Sequence, residues 1–283
     1  MKTKISALPP ARHLIFGVVF SLCLTACGLF DWSIPTEIHV YSLKDAEEKL
    51  ASFSFGTCGL SPDSLLDVFV KFDLEDLSQP DNNYLRLIEI IGDSGLYVNL
   101  ILPAEMGGKT VFTSPPLDNA AKGMDKIVGI SLPLVTTSIM TDINGMSPFY
   151  FYENLKRVES DEKFAYIGDF AFSSCKSLEQ INLYSVKIVG RDAFRGCENL
   201  IHVGLSTVET IEERAFFDCN SLERISMYRK PPILGDSAFL GSTPDTFTFS
   251  IDRVYHGAYR TWIEENASKF NNNGEDIIFH LSY

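Results

Sequence analysis

The chain has 283 residues, of which 45% are apolar, and it carries 37 Asp and Glu side chains against 24 Lys and Arg, a formal net charge of −13. Such an acidic chain is poorly suited to bind nucleic acid or broad anionic surfaces, because both repel it. Its five histidines show neither H-x-x-x-H nor H-E-x-x-H spacing, so a catalytic metal is not predicted. The length is sufficient for one sizeable core or for a solenoid.

The N-terminus is typical of a bacterial export signal. Lys2, Lys4 and Arg12 precede or flank the start of an apolar run, Leu14–Leu24, that is too short to span a bilayer as a stable helix. The run ends in L-T-A-C, which places Cys27 where a lipobox has its acylated cysteine. Cleavage before Cys27 and acylation of its thiol and amine would hold the mature chain on a membrane without crossing it. The alternative is an ordinary signal peptide that happens to contain a cysteine.

The cleaved chain would be more acidic still. Removal of residues 1–26 leaves 21 Lys and Arg against 37 acidic residues, a net charge of −16. We therefore predict a lipid-anchored protein at the outer membrane or the cell surface of a bacterium. Neither a nucleic acid partner, a small-molecule substrate nor a cofactor is predicted.

A 22-residue repeat dominates the C-terminal half of the chain. The segments Ile167–Leu183, Val189–Leu205 and Ile211–Met227 align position by position, and Leu234 opens a fourth copy. Phenylalanines mark the period at intervals of 22, 22 and 23 residues: Phe172, Phe194, Phe216 and Phe239. An incomplete copy lies one period upstream, with apolar side chains at Phe149, Tyr152, Leu155 and Val158. Repeats of this length indicate a solenoid of stacked coils.

Each repeat has two parts with different periodicity. In L-x-x-I-x-L the side chains alternate as in a strand, so Ile181 and Leu183 should point inward while Gln180 and Asn182 point outward. In A-F-x-x-C-x-x-L, apolar residues recur at steps of three, as on one face of a short helical or 3-10 turn. Neither part can bury its apolar face alone, so successive coils should share a continuous core.

Residues 149–242, with their L-x-x-I-x-L strand and I-G-x-x-A-F-x-x-C-x-x-L turn, resemble the BspA-like leucine-rich repeats, also called the Treponema-pallidum type. The proline that usually follows the strand is replaced by Tyr184, Ser206 and Tyr228, although Pro133 occupies this place upstream. The resemblance implies an α/β leucine-rich-repeat solenoid. It also implies a surface lipoprotein or secreted protein of a bacterium, not an enzyme, that binds host or neighbouring-cell macromolecules, some of them extracellular-matrix proteins.

The chain is expected to divide into five segments. They are a signal peptide (1–26), an acylated tether (27–41), an N-terminal cap of irregular coils (42–133), the leucine-rich repeats (134–246) and a C-terminal cap (247–283). The irregular coils should extend the repeat sheet, because L-I-L-P and I-S-L-P within them look like degenerate repeat strands.

Within the N-terminal cap, the apolar patterns predict helices over Leu43–Phe53 and Asn82–Ile91 and strands over Val68–Phe72, Leu96–Leu102 and Ile127–Leu132.

The C-terminal cap resembles the terminating segment of the same family, a strand followed by a helix with an A-Y-x-x-W pattern. Tyr259 and Trp262 should cover the open end of the core, and Ile277–Leu281 should form a closing strand.

Three cysteines recur with the repeat: Cys175, Cys197 and Cys219. The favoured interpretation is a column of small, buried apolar side chains. A disulfide between neighbouring coils is an alternative, because stacked strands lie about 4.8 Å apart, although parallel Cβ vectors make it awkward. A metal site is the least favoured, because a rigid stack cannot bring three thiolates onto one ion.

Two short motifs are compatible with active or metal sites but have simpler interpretations. Gly92–Gly95 spells the G-D-S-G around the nucleophile of chymotrypsin-like proteases, yet no histidine stands in a recognisable general-base context. A turn between a helix and a strand is predicted instead. The acidic stretch from Asp73 to Asp81 lacks EF-hand spacing and is predicted to be a solvated loop. No catalytic residue and no metal ligand is assigned.

Outward positions of the repeat strands form columns that could bind a partner. Arg157, Gln180, His202 and Arg224 make one column, Asn182 belongs to the next, and Tyr184 and Tyr228 lie at the strand ends. The alternative is a solvated sheet face without a partner. Tyrosine and arginine are enriched at interaction hot spots, so these seven residues are the predicted partner-binding residues.

Two functional classes remain open. The favoured one is adhesion-type binding of a protein partner, such as an extracellular-matrix or host-surface protein. The other is a structural or assembly lipoprotein that contacts envelope components or itself through the solenoid edge.

Overall fold

Two parallel β-sheets form the framework of the protein. The structure, a computed structural model, describes residues 36–53, 58–113, 122–141, 145–160, 164–242, 247–270 and 277–282. The predicted signal peptide, Cys27 and most of the predicted tether lie outside these residues. None of the described helices is long and apolar enough to cross a membrane.

The first sheet contains, within the described residues, ten parallel strands. Numbered along the chain and given in their spatial order, they are β1 (Glu37–Val40), β2 (Leu66–Val70), β3 (Val98–Ile101), β5 (Ile127–Ser131), β7 (Arg157–Glu159), β9 (Gln180–Ile181), β11 (His202–Gly204), β13 (Arg224–Met227), β15 (Phe247–Asp252) and β16 (Ile277–Ser282). The strands follow one another in the sheet as they do along the chain, as expected for a solenoid. The predicted extension of the repeat sheet into the irregular coils is therefore confirmed.

A second sheet of shorter strands lies on the far side of the turn that follows each repeat strand. In the part of the chain that is described it has six members: β4 (Val111–Phe112), β6 (Ser138–Ile139), β8 (Tyr166–Ile167), β10 (Ile188–Val189), β12 (Thr210–Ile211) and β14 (Ile233–Leu234). Each strand has only two residues, which is below the usual length of a strand. Such short segments leave no alternating pattern in the sequence.

Alternation along the repeat strands places the core between the two sheets. Ile181 and Leu183 are buried while Gln180 and Asn182 are exposed, as the sequence predicts. The inward positions are buried in every repeat, whereas the outward positions Gly204 and Ser226 are buried as well, and the buried side chains of stacked coils form one continuous core.

Parallel phenylalanine rings form a ladder through this core. The stack consists of Phe112, Phe149, Phe172, Phe194, Phe216, Phe239 and Phe270. Successive ring centroids lie 4.9–5.5 Å apart, and no pair deviates from parallel by more than 8°. Phe112 and Phe270 carry no repeat signature in the sequence. The ladder therefore extends beyond the repeats that can be recognised in the sequence.

The turn segment of each repeat consists of separate hydrogen-bonded turns and not of a continuous helical or 3-10 turn. Hydrogen bonds alternate in direction: the N–H groups of Phe170, Phe172 and Ser174 donate to carbonyls of the next coil at 2.7–2.9 Å, whereas those of Ala171 and Ser173 close turns within their own coil. The alternation places two left-handed residues in each coil, namely Phe170 and Ser174, Asp192 and Gly196, Arg214 and Asp218, and Ser237 and Gly241. Left-handed backbone costs a non-glycine residue about 1–2 kcal/mol, and the bonds between coils offset this cost.

Two helices occupy the corresponding side of the irregular coils. Helix α1 (Leu43–Phe53) has the predicted bounds, and helix α2 (Asn83–Ser94) extends the predicted one by a turn. Asn82 caps the start of α2, because its side-chain oxygen accepts the N–H of Leu85 at 2.9 Å. Gly95 ends α2 in the left-handed conformation, with φ of 72°.

The predicted tether, residues 27–41, is wrong over the four residues of β1. Glu37 pairs with Asp67 and Val40 with Val70 in a parallel ladder. Ile38 and Val40 are buried, so this short stretch already alternates like the other strands of the first sheet. The predicted strand at Val68–Phe72 lies two residues nearer the N-terminus, at β2.

The C-terminal cap has the predicted order of strand, helix and strand. A 3-10 turn (Arg253–Tyr255) joins β15 to helix α3 (His256–Glu265), and β16 pairs in parallel with β15. Tyr259 and Trp262 of α3 are buried, as predicted. The ring N–H of Trp262 donates to the carbonyl of Pro232 at 2.7 Å, where a further coil would supply a backbone N–H. The cap thus covers the core and satisfies the last coil's carbonyls.

Candidate functional site

Strand register brings most of the predicted partner-binding residues into true columns. Arg157 lies beside Gln180, Gln180 beside His202, and His202 beside Arg224 on adjacent strands. Because neighbouring strands lie about 4.8 Å apart, these side chains stand close together on the outward side of the first sheet. We call this outward side the sheet face.

The sheet face continues into coils that have no repeat signature. Upstream of Arg157, the same column contains Glu37, Asp67, Asn99 and Gly129. A second column begins with the stacked rings of His39 and Phe69, whose centroids are 4.7 Å apart. These residues were missed in the sequence because their coils differ in length. The short alternations I-H-V and V-F-V were the available signal.

Three of the seven predicted residues are held by local contacts. Arg157 forms an ion pair with Glu159 at 3.4 Å. Asn182 accepts the N–H of Tyr184 through its side-chain oxygen at 3.0 Å, which closes the turn after the strand. The ring of His202 is hydrogen-bonded to the hydroxyl of Ser226 at 2.9 Å. These contacts hold the three side chains in place, but they also use hydrogen-bonding and charged groups that a partner could otherwise contact.

The other four residues are exposed. Tyr184 and Tyr228 are 56% and 44% exposed, and Gln180 and Arg224 are also exposed. Within the described part of the chain, Arg224 forms no salt bridge. Its guanidinium is therefore available to a carboxylate of a partner.

Gly204 positions the ring of Tyr184. A Cβ atom at Gly204 would lie 2.7 Å from Cε1 of Tyr184, so a larger residue would displace the ring. The glycine leaves a gap in its column, and the tyrosine of the preceding coil lies across that gap. An exposed ring held in this way loses little conformational freedom on binding.

The electrostatics of the central columns depend on Arg224. Burial lowers the pKa of His202, and the neighbouring positive charge of Arg224 lowers it further. The imidazole is therefore neutral at neutral pH. Arg224, beside it on strand β13, then carries the positive charge of this part of the column.

The recurring cysteines are buried free thiols, which confirms the favoured interpretation. The thiols of Cys175, Cys197 and Cys219 donate to carbonyls of phenylalanines in the preceding coil, at 3.5, 3.2 and 3.1 Å. Ser242, in the fourth copy, contacts the carbonyl of Phe216 in the same way. The position therefore selects a small side chain that can donate a hydrogen bond. This requirement explains why serine replaces cysteine there.

The two tempting motifs have structural roles. Gly92–Gly95 forms the last turn and the cap of helix α2, where the hydroxyl of Ser94 donates to the carbonyl of Ile91 at 2.7 Å. The carboxylate of Asp73 accepts backbone N–H groups of Glu75 and Gly107. Among the described residues, no three His, Cys, Asp or Glu side chains are placed to hold one metal ion.

Comparison with known proteins identifies the repeats. Residues 142–261 match the family model of the BspA type leucine rich repeat region in six copies. Among solved structures, the chain is similar to a leucine-rich repeat protein of T. pallidum, at 24% identity over 56% of this chain and 81% of that one with a TM-score of 0.33. It is also similar to a leucine-rich repeat protein of Bacteroides ovatus, at 18% identity over 77% of this chain and 69% of that one with a TM-score of 0.29. No curated protein matches the chain.

Proposed function

Because residues 142–261 are a leucine-rich repeat region of the BspA type, we propose that the protein is a binding scaffold that recognises a protein partner through the sheet face. The repeat family suggests protein binding in general. We further propose that the chain is held at a bacterial outer membrane or cell surface through acylated Cys27. The partner would be a macromolecule of the host or of a neighbouring cell, such as an extracellular-matrix protein.

The observation that supports this proposal is that Tyr184, Arg224 and Tyr228 are all exposed on one sheet face, Tyr184 after strand β9 and the other two in the coil of β13, with β11 between them. Tyrosine and arginine contribute disproportionately to protein interfaces. Their backbone is fixed by the parallel ladder, so a partner would meet side chains that are already arranged. None of the three side chains is needed to fill the core.

Side-chain substitutions on the sheet face provide the test. Binding of the purified protein to immobilised extracellular-matrix proteins is measured for Tyr184→Ala, Arg224→Ala and Tyr228→Ala. At least one of these variants should weaken binding by about 1–2 kcal/mol while the fold remains intact. Lys176→Ala and Glu198→Ala, on the turn side, are the controls and should bind normally. Loss of binding in the controls, with normal binding in a triple sheet-face variant, would contradict the site.

Membrane anchoring is tested separately with Cys27→Ala. Acyl chains supply the proposed membrane affinity, at about 0.8 kcal/mol per buried methylene. The wild type should therefore enter the detergent phase on phase separation, and the variant should stay in the aqueous phase. Equal partitioning of the two proteins would contradict acylation.

Surface location distinguishes adhesion from the alternative, a structural or assembly lipoprotein. Protease added to intact cells should degrade the chain if it faces outward. Protection of the chain in intact cells, with degradation only after the outer membrane is opened, would favour an envelope role.

A further inference from the structure

The second sheet carries two exposed aliphatic side chains. Register aligns the first residue of each short strand in a column: Val111, Ser138, Tyr166, Ile188, Thr210 and Ile233. Ile188 is 36% exposed and Ile233 is 72% exposed. Because they are exposed to this degree, these two isoleucine side chains do not fill the core.

A groove lies beside the C-terminal end of this column. Its volume is about 450 Å³, and it is open to solvent. Its lining includes Thr210, Ile233, Glu212 and Arg191. Three other repeats have glycine where this repeat has Glu212, namely Gly168, Gly190 and Gly235.

Close approach of the preceding coil favours glycine at two of these positions. A Cβ atom at Gly190 would lie 2.7 Å from the backbone nitrogen of Asp169, and one at Gly168 would lie 2.9 Å from the carbonyl oxygen of Ile139. Glu212 departs from the repeat at this place, and it lines the groove.

The charges around the groove leave Glu212 without a counter-ion. Arg191 pairs with Asp169 at 3.5 Å, and Arg214 pairs with buried Asp192 at 2.8 Å and with Glu213 at 3.8 Å. No salt bridge of Glu212 occurs among the described residues. Burial raises the pKa of Tyr166, and the charges of Asp169 and then Glu212 raise it further, so both carboxylates act on this part of the column.

We propose that the groove binds a Lys or Arg side chain carried by an extended, otherwise apolar segment of a protein partner. The aliphatic stem of such a side chain would pack against Ile233, and its charged end would pair with Glu212. Long basic side chains commonly bury their stems on apolar surface in this way while the charge remains solvated or paired. This site is separate from the sheet face and does not depend on it.

Other occupants fit the groove less well. An anionic group would meet the carboxylates of Glu212 and Glu213, while Arg191 in the groove lining is already paired with Asp169. A purely apolar segment would take the carboxylate of Glu212 out of water without a partner, which is unfavourable. Only a cation with an apolar stem satisfies both surfaces.

Direct binding of labelled peptides to the purified protein tests the proposal, with fluorescence anisotropy as the readout. The probe is a short capped peptide in which valine and lysine alternate. Peptides in which glutamate or serine replaces lysine are the comparisons. The lysine peptide should bind saturably, and its affinity should fall as salt is added, because its charge pairs with a carboxylate in a groove that is open to solvent. Absence of binding, or equal binding of the serine or glutamate peptide, would overturn the proposal.

Two glutamate variants locate the site. Glu212→Gln should weaken the lysine peptide by roughly fivefold, as expected for loss of one charge-assisted contact, and Glu212→Gly, which restores the residue of the other repeats, should do the same. Glu223→Gln is the matched control, because Glu223 is exposed and its loss changes the net charge equally. Ile233→Ser should also weaken binding, and circular dichroism checks each fold. Equal effects of Glu212→Gln and Glu223→Gln would show that net charge, not this groove, attracts the peptide.

Independence from the sheet face is measured on the same protein. Arg224→Ala and Tyr228→Ala should leave binding of the lysine peptide unchanged. If these variants abolish peptide binding while Glu212→Gln does not, the peptide binds to the sheet face and the groove proposal is wrong. Failure of the sheet face to bind a protein partner would leave the peptide result unaffected.

Discussion

The regular coils between residues 164 and 242 and the irregular coils between residues 36 and 133 share one sheet but complete their turns differently. In the regular coils, every second N–H of the turn reaches the next coil, which places two left-handed residues in each repeat. In the irregular coils, helices α1 and α2 satisfy their own backbone groups. The first sheet continues without interruption across both regions.

The two regions therefore separate two properties that occur together in a regular repeat: continuation of the sheet and repetition of the turn. Strand alternation is sufficient to continue the sheet, and it needs only a few residues per coil. A strict 22-residue period is needed only where each turn is hydrogen-bonded to a turn of the same shape in the next coil. Helices α1 and α2 do not need such bonds to the next coil, so the irregular coils can vary in length and composition.

Removal of one ring from the phenylalanine ladder should have the largest effect. Phe194 is fully buried between Phe172 and Phe216, so Phe194→Ala should lower the free energy of unfolding by about 3–5 kcal/mol through cavity formation. Phe217→Ala is the control, because Phe217 follows the ladder residue directly but is only half-buried. Urea unfolding measures both. Similar costs would mean that the ladder does not dominate the regular coils.

The junction between the two regions can be tested with a hydroxyl pair. Tyr84 of helix α2 and Tyr152 of the first incomplete repeat are buried and hydrogen-bonded to each other at 2.8 Å. Tyr84→Phe should destabilise the protein by about 1–3 kcal/mol, because it leaves the hydroxyl of Tyr152 buried without this partner. The double variant Tyr84→Phe with Tyr152→Phe should recover much of that loss. Additive losses in the double-mutant cycle would show that the two regions are not coupled through this bond.

The buried thiols should make the regular coils sensitive to alkaline pH. Burial raises the pKa of Cys197 well above its usual value, so the folded state keeps the thiol protonated. In the unfolded chain the thiol ionises at about pH 8.5, so its contribution to stability is present below that pH and falls by about 1.4 kcal/mol per pH unit above it.

Cys197→Ser removes this titrating group but keeps a hydrogen-bond donor, as Ser242 does. The loss of stability between neutral and alkaline pH should therefore be smaller in the variant than in the wild type. The thiols should also react slowly with alkylating reagents in the native protein and quickly after denaturation. An unchanged pH dependence, or rapid native alkylation, would contradict the buried assignment.

An exposed ion pair on the turn side should have the smallest effect. Lys176 and Glu198 lie 2.7 Å apart on neighbouring coils, but both side chains are well exposed. Solvent and salt screen such pairs, and many contribute nothing measurable. Lys176→Ala should therefore leave the midpoint of urea unfolding unchanged at high and at low salt. A clear loss of stability would mean that side-chain pairs, and not only the backbone ladder, hold the turns together.

The sequence by itself determined whatever recurs in register or alternates over several residues. The strand alternation, helix α1, the buried cysteine column and the aromatic residues of the C-terminal cap all follow from local patterns that each residue type satisfies in the same way. A repeated position meets the same neighbours in every coil, so its residue type reports its environment.

Only the tertiary structure decided the features that depend on which coil lies beside which. Phe112 and Phe270 join the ladder, β1 replaces part of the predicted tether, and Glu212 lines a groove where other repeats have glycine. Each of these occurs once in the chain, so no period marks it. Its role arises from contacts between residues that are distant in sequence, and these contacts exist only after the coils have stacked.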